Sequence, residues 1–468
     1  MLRDDYYCTV LAYCTTLRTL AVGLANRVYL WSEDFGVKYP PDDKSNRMTT
    51  YVTSLSFSST EGGNSILAIG RNTGQICLWS LDDDEDIRFK AQQPTAIACL
   101  SFKPVTTRRL SERFGSPVAT EELLVGDETG DVYYYSIEWM TRNQVEIHGW
   151  IGSMKLLAKI SMHSQQICGL AWSPSGDYFA SGANDNACCL FQVNEILKKQ
   201  PPSNTVAFYR RPLQSVIGGL VTPSDAAAVA QPPILTSLSE IIAPSRSSYR
   251  GSSNAAGPLS ILHRASVIPG QDGSLLVGDG RQKHKWIHSA AVKAIAFCPW
   301  QRGLLATGGG SNDRAIHFYH TFSGACLATI NVHAQVTSLI WSTTRREIAA
   351  TFGYAQPEHP YRIAVFSWPE CKQIVAIPWQ SDMRALLAIP YPRGPGETRR
   401  HTRMGEQWYS RTAEEGCIVI ACSDESVKFH EVRSGAAKAT GSNAGLLGGS
   451  AILEGLEGIE AETAEVIR

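Results

Sequence analysis

Short apolar runs bounded by turn residues recur along the whole chain. The clearest set lies between Ala294 and Tyr319, AIAFCPWQRGLLATGGGSNDRAIHFY. Ala294 to Phe297 alternates small and large residues and ends in an aromatic. Cys298-Pro299-Trp300 breaks the run, because proline cannot donate to a central ladder. Leu304 to Thr307 is a second run. Gly308-Gly309-Gly310 and Ser311-Asn312-Asp313 then supply the positive φ and side-chain caps of a turn. Ala315 to Tyr319 is a third run with an aromatic end. Three such strands bury one face only, so the unit needs copies on either side.

The copies are present. Closing positions of the same kind fall at Trp31, Trp79, Tyr135, Phe191, Tyr319 and Phe366, with His430 as a substituted seventh, at spacings of 48, 56, 56, 128, 47 and 64 residues. Most spacings lie near the roughly 40–45 residues of a propeller blade. The spacing of 128 is one blade plus a long insertion. Seven units predict an all-β fold, a closed seven-bladed β-propeller over residues 1–433, in which radial repetition hides strand edges. Numbering the strands of a blade a to d from the axis outward, the long stretches 105–122, 194–282 and 391–416 fall in a–b or c–d connections. They therefore share one face, and the face of the b–c and d–a loops stays open.

Composition narrows this picture in a few places. The Ser-, Pro-, Ala- and Gly-rich stretch 194–282 lacks sustained periodicity and is expected to be mostly disordered. The stretch 391–416 carries Arg393, Arg399, Arg400, Arg403 and Arg411, and reads as a solvated basic loop rather than a nucleic-acid site. Residues 434–468 read as a flexible tail. A net charge of −1 implies no bulk attraction to nucleic acid or acidic membrane. No apolar run approaches the ~20 residues of a membrane span, and the charged start Met1-Leu2-Arg3-Asp4-Asp5 is no signal peptide. The twelve cysteines, mostly inside apolar runs such as those of Cys77, Cys168, Cys188, Cys189 and Cys417, read as buried free thiols of an intracellular protein.

His163, His288 and His333 each sit just before the first strand of a blade, and Asp185 and Asp313 sit in tight turns further on. Sets of His163, Ser181 and Asp185, and of His288, Thr307 and Asp313, invite a hydrolase reading. The sets repeat in register with the blades, whereas catalytic sites do not repeat, so they read as buried structural networks. There is no phosphate loop before a helix, no metal-ligand spacing and no non-repeating nucleophile–base set. The chain is expected not to be an enzyme and to need no cofactor.

Several longer motifs resemble the Fizzy and Fizzy-related family of WD-repeat activators of the anaphase-promoting complex, a ubiquitin ligase. They are Asp5-Tyr6-Tyr7 with Val28-Tyr29-Leu30-Trp31, the segment from His163 to Trp172, the segment from Ala291 to Trp300, Leu305 to Gly310 with Asn312-Asp313-Arg314, and Gln335 to Trp341. The resemblance covers about residues 2–194 and 283–433. It implies recruitment of degron-bearing cell-cycle proteins, in mitosis or meiosis, by a propeller of the nucleus and cytoplasm that contacts ligase subunits and checkpoint inhibitors. Matched motif by motif, it implies a destruction-box site between the first and last blades at Asp5 and Glu425, with Asp4 and Asp424 as register alternatives. It implies a Lys-Glu-Asn-box site at Asn184 or Asn186 with Ser311, Gln356 and Arg384. It also implies ligase docking by the terminal Ile467 and Arg468. Drifting motifs and the long insert resemble the meiosis-specific fungal members. Family members carry an N-terminal extension with an Asp-Arg-Tyr-Ile-Pro-like box that supplies an outer strand to the last blade. The present chain starts at the propeller and is read as a fragment or truncated gene product, so blade 7 is expected to show an open edge. A WD-repeat scaffold that has lost degron binding is the competing reading.

Overall fold

The computed structural model describes residues 8–33, 35–41, 49–83, 87–198, 267–269, 273–353, 358–379, 382–392 and 417–432. Seven sheets, each built on antiparallel strands, follow one another along the described chain. Blade 1 consists of β1 (Leu11–Cys14), β2 (Thr19–Leu24), β3 (Arg27–Ser32) and β4 (Gly36–Lys38). Blade 2 consists of β5 (Val52–Phe57), β6 (Ile66–Arg71), β7 (Gln75–Ser80) and β8 (Phe89–Gln92). Blade 3 is built on β9 (Ile97–Phe102), the long β11 (Pro117–Asp127), β12 (Asp131–Trp139) and β13 (Gly152–Ser161). The first part of β11 also pairs with β10 (Thr107–Leu110), so the stretch 105–122 is a hairpin of its own. A short helix, α1 (Arg142–His148), joins β12 to β13 and ends on Gly149 in the left-handed conformation. Blade 4 has β14 (Ile167–Trp172), β15 (Tyr178–Ala183) and β16 (Ala187–Gln192), then α2 (Val193–Ile196).

Two short strands, β17 (Val267–Pro269) and β18 (Leu275–Val277), come next, and β18 adds in parallel to the outer edge of β13. Within the span 194–282 expected to be disordered, these described ends are therefore ordered. The fourth strand of blade 4, β19 (His284–Ile287), follows the insert and pairs with β16. Blade 5 is β20 (Val292–Phe297), β21 (Leu304–Gly309), β22 (Ala315–His320) and β23 (Cys326–Asn331). Blade 6 is β24 (Val336–Trp341), β25 (Glu347–Phe352), β26 (Tyr361–Ser367) and β27 (Gln373–Pro378). Blade 7 has three strands among the described residues, β28 (Ala385–Tyr391), β29 (Cys417–Cys422) and β30 (Val427–His430). The loop 393–416 and the tail 434–468 lie outside the described residues.

All seven closing positions read from the sequence lie on third strands: Trp31 on β3, Trp79 on β7, Tyr135 on β12, Phe191 on β16, Tyr319 on β22, Phe366 on β26 and His430 on β30. Apolar side chains between neighbouring sheets form the core. Phe318, Trp341, Phe352 and Phe366 fill the space between blades 5 and 6, and Tyr134, Trp172, Phe179 and Phe191 that between blades 3 and 4. Indole N–H groups also tie blades together: Trp172 donates to the Ser101 carbonyl at 3.0 Å, Trp300 to that of Ser342 at 3.0 Å and Trp341 to that of Ala296 at 3.1 Å. Burying an indole with its donor satisfied is what makes tryptophan suitable there.

The ring closes. Cys8, Val10, Leu11, Leu20 and Val22 of blade 1 pack against Tyr391, Cys417, Val419 and Ala421 of blade 7. The buried Lys293 ammonium on β20 donates to the Leu386 carbonyl at 3.0 Å and to the Cys8 carbonyl at 3.4 Å, joining blade 5 to blades 7 and 1. The β9–β11, β16–β19 and β28–β29 connections carry the long stretches, and within antiparallel blades these a–b and c–d loops leave from one face. The b–c and d–a loops form the other face.

Candidate functional site

In blade 4 the His163 Nδ1 donates to Asp185 at 3.1 and 3.2 Å, and the Ser181 hydroxyl meets His163 Nε2 at 2.7 Å. The amides of Ser164 (3.0 Å) and Ala187 (3.1 Å) also donate to the Asp185 carboxylate. Ser181 lies on β15 and His163 just ahead of β14, so the network staples the d–a entry to the b–c turn. Burial would raise the Asp185 pKa, but the hydrogen bond and charge of His163 and the two amides outweigh it and hold the carboxyl below its ordinary value.

Blade 5 repeats the arrangement with His288 Nδ1 to Asp313 Oδ2 at 3.3 Å, the Thr307 hydroxyl to His288 Nε2 at 3.2 Å, and the Ser289 amide to Asp313 Oδ1 at 3.1 Å. It adds one residue that the sequence did not single out. His317 on β22 donates from Nε2 to Asp313 Oδ2 at 2.9 Å, and its Nδ1 meets the Thr329 hydroxyl at 3.1 Å. The potential ligand atoms of His288, Asp313 and His317 lie within 4.8 Å of one another. Such a spacing is found in metal centres, and the sequence reading, which found none, missed it because the residues come from three elements. Every one of these atoms is already hydrogen-bonded, so the group is complete as a network without an ion.

The third histidine behaves differently. His333, in the left-handed conformation at φ +53°, pairs with Glu358 at 3.1 Å. The buried Thr351 hydroxyl of blade 6 is met instead by Thr337 Oγ1 at 2.8 Å.

Those of the remaining positions that are among the described residues lie on the face of the b–c and d–a loops. Asn184 and Asn186 occupy the β15–β16 turn. The Asn184 amide donates to the Gln166 carbonyl at 2.9 Å, and Asn186, at φ +65°, accepts from the His288 amide at 2.8 Å. Ser311 is in the β21–β22 turn, where its carbonyl accepts from Arg314 Nε at 2.7 Å. Arg384 precedes β28, and its backbone is tied to Ser423 in the β29–β30 turn at 2.9 and 3.1 Å. Glu425, exposed at φ +65°, sits in that same turn. Arg384 and Glu425, assigned to different peptide sites, thus lie on adjoining loops of blade 7. Its neighbour Asp424 is engaged by Ser426 at 2.6 Å and Lys428 at 2.9 Å, which lower its pKa to about 2. Among the described residues none is hydrogen-bonded or ion-paired to the Glu425 carboxylate. Asp5, Gln356, Ile467 and Arg468 lie outside the described residues.

This architecture, with a histidine–hydroxyl–aspartate staple repeated in successive blades, defines a WD-repeat β-propeller, and residues 154–192 match the family described as "WD domain, G-beta repeat". Relatives of the chain include proteins named as activators or subunits of the anaphase-promoting complex, of the Cdc20 and Cdh1 type and meiosis-specific ones among them. It is 30% identical to "Meiotic fizzy-related protein 2" of Schizosaccharomyces pombe, over 92% of this chain and 61% of that protein. It is 26% identical to "Meiosis-specific APC/C activator protein AMA1" of Saccharomyces cerevisiae, over 100% of this chain and 62% of that protein. The chain thus spans about three fifths of the length of these curated relatives. A chain of the "Crystal Structure of Mitotic Checkpoint Complex" shares the fold, with TM-score 0.56, 23% identity and 92% of each chain covered.

Proposed function

We propose that this propeller is the substrate-recruiting part of an activator of the anaphase-promoting complex, not an enzyme, and that it holds degron peptides on its open face and at the closure of the ring. The observation that carries the reading is the likeness of nearly the whole chain to meiotic fizzy-related and Cdc20-type proteins. The geometry is compatible with it. Among the described residues the long connections leave from the other face, blades 1 and 7 adjoin, and Glu425 presents a carboxylate with no partner while Asp424 is taken up by Ser426 and Lys428. A guanidinium bridging Asp5 and Glu425 would gain charge-assisted hydrogen bonds and relieve the repulsion of two acids. Arg384 offers a fork to the acid of a Lys-Glu-Asn box, with Asn184 or Asn186, Ser311 and Gln356 as polar rim. Ile467 and Arg468 dock the chain to a ligase subunit, and the protein works in nucleus and cytoplasm.

Titration of a labelled destruction-box peptide tests the reading. Asp5→Ala and Glu425→Ala should each weaken binding by ~1–3 kcal/mol, between exposed and buried ion-pair values, non-additively and with the melting temperature unchanged. Wild-type affinity in the double variant would establish the scaffold reading instead.

A further inference from the structure

Glu121 and Glu122 stand side by side on β11, and both are buried, at 1% and 0% exposure. Successive side chains of a strand leave from opposite faces. Glu122 therefore shares the face toward blade 4 with Leu124, and Glu121 the face toward blade 2 with Leu123 and Val125. Glu122 meets two cations, Lys103 at 3.0 Å and Arg109, and accepts from the Tyr134 hydroxyl at 2.5 Å. Glu121 is treated differently. Its Oε1 accepts from the Ser59 hydroxyl at 2.9 Å and its Oε2 from the Ser59 amide at 3.2 Å, and among the described residues no cation pairs with it. A buried carboxylate without a counter-charge is destabilising. Burial accordingly lifts the Glu121 pKa to about 7, against the two Ser59 hydrogen bonds and with help from the charges of Glu61 and Glu122.

The acid lines a cavity of about 290 Å3 between blades 2 and 3. The β5–β6 connection, the β10–β11 hairpin, the end of β12 and α1 enclose it, and Gly62, Phe114, Val118, Ile137, Trp139 and His148 are among its walls. Gly62 admits the carboxyl: an added Cβ would lie 1.8 Å from Glu121 Oε1. Phe114 is partly exposed and packs edge-on against His148 at 5.1 Å and Trp150 at 5.6 Å, so the hairpin and the α1–β13 connection close the cavity together. The cations nearby are engaged elsewhere. Lys103 and Arg109 belong to Glu122. Arg88 lies over the Trp139 ring at 4.2 Å and is held by Asp83 at 2.6 Å and the Met140 carbonyl at 2.5 Å. The volume is at the lower end of the roughly 300–1,000 Å3 of small-ligand sites, which suits a short aliphatic stem with a charged head. A mostly apolar cavity with one acid in its wall selects that shape of ligand and that sign of charge.

We propose that this cavity binds a primary alkylammonium group, with Glu121 as its counter-charge and Val118, Ile137 and Phe114 against its aliphatic stem. Each carboxylate oxygen accepts one hydrogen bond from Ser59 and keeps a lone pair for the ammonium, which has three donors to offer. The same chemistry is carried by the lysine side chain of a polypeptide and by a free alkylamine. The site lies among a–b and c–d connections, on the face opposite Asn184, Ser311 and Glu425, and does not rest on the degron reading. Binding requires Glu121 ionised, so below pH 7 its carboxyl loses a proton as the cation enters. The other groups around it are Glu61, Glu122, the Ser59 hydroxyl and His148 across the cavity, with Lys103 and Arg109 bound to Glu122 and Arg88 to Asp83.

Calorimetric titration of the full chain with pentylamine, and with an end-blocked pentapeptide carrying one lysine, tests the site. An ammonium probe should bind at pH 8, and its affinity should fall toward roughly tenfold per pH unit below pH 7, with a proton released on binding. Glu121→Gln keeps the shape of the side chain and should weaken binding at least roughly tenfold. Phe114→Ala, at a partly exposed position, should weaken it a few-fold and leave the melting temperature unchanged. Tighter binding of the peptide assigns the ammonium to a lysine of a polypeptide, and tighter binding of pentylamine to a free amine; either supports the site. Failure of both probes to bind at millimolar concentration would overturn the proposal. So would a norleucine peptide that binds as tightly as the lysine peptide, or a folded Glu121→Gln protein with unchanged affinity. If Glu121→Gln failed to fold, a wild-type affinity independent of pH between 6 and 8 would overturn it as well.

Discussion

Blades 4 and 5 place the same three residue types at the same stations and surround the acid differently. Asp185 serves one imidazole and two backbone amides. Asp313 serves two imidazoles and one amide. The blade 5 turn is two residues longer, and the acid reaches back over Gly309, where an added Cβ would meet Asp313 Oδ2 at 1.7 Å. The blade 4 station that pairs in the same way, Ala183, carries a Cβ. The comparison separates what the fold demands from what one blade has added. The staple of histidine, hydroxyl and aspartate satisfies buried polar groups in both, whereas the second histidine and the glycine that makes room for its acid belong to blade 5 alone of the two.

The largest expected difference follows from removing the acid. Asp313→Ala would leave the largely buried His317 imidazolium without its counter-charge, a change worth ~3–5 kcal/mol when one partner of a buried pair is lost. Asp185→Ala would leave hydrogen-bond donors unsatisfied, costing ~1–3 kcal/mol. Urea unfolding of the two variants measures both. Equal losses, or a larger one for Asp185→Ala, would mean that the second histidine adds nothing to blade 5.

A smaller effect separates the blades by pH. The carboxyls of Asp185 and Asp313 are both held below their ordinary value: burial opposes this in each, and the histidine hydrogen bonds prevail. Their contributions are therefore present above about pH 4 and fade as pH falls, in both blades alike. The alkaline side discriminates. His317 has a folded pKa of about 9 against an ordinary 6.5, despite burial, because of Asp313 and Cys326. Its contribution is full below pH 6.5 and is lost as pH rises through about 9. Thermal melts between these values should show a decline of ~1–3 kcal/mol in the wild type that His317→Gln flattens. An identical decline in that variant would assign it elsewhere.

How much of this could be read from the sequence divides along the same line. The repeat was legible because closing positions such as Trp79 and Phe191 end apolar third strands, and apolar runs bounded by turn residues are what sequence periodicity registers. The fourth strands were not singled out. The β8 and β19 segments, FKAQ and HKWI, alternate half-buried and exposed residues at a sheet edge, so no apolar run marks them. The histidine–hydroxyl–aspartate sets were legible because they recur in register. His317 was not, since it occurs once and its importance comes from a neighbour across the ladder, Thr329, and from a turn acid four residues back. Cys326 was taken with the other thiols as buried. It stands at the first position of an edge strand, a place that composition does not reveal.

The finest comparison is between two cysteines. Cys189 has no exposed surface and packs among Tyr134, Phe179 and Phe191. A serine hydroxyl there exchanges a weakly polar thiol for a group that needs a partner, and burial without one costs ~1–3 kcal/mol. Cys326 has solvent on one side, and its thiol meets the Thr329 hydroxyl and the Ala328 carbonyl. A serine hydroxyl keeps those hydrogen bonds or trades them for water. Cys326→Ser should therefore stay within about ±0.5 kcal/mol of the wild type, as surface substitutions do. Chemical denaturation of both variants at pH 7 under reducing conditions measures the contrast. A Cys326→Ser protein destabilised as much as Cys189→Ser would show that the exposed thiol is part of the packing of blade 5. Near-neutrality would show that neither the staple nor the core of blade 5 needs the thiol.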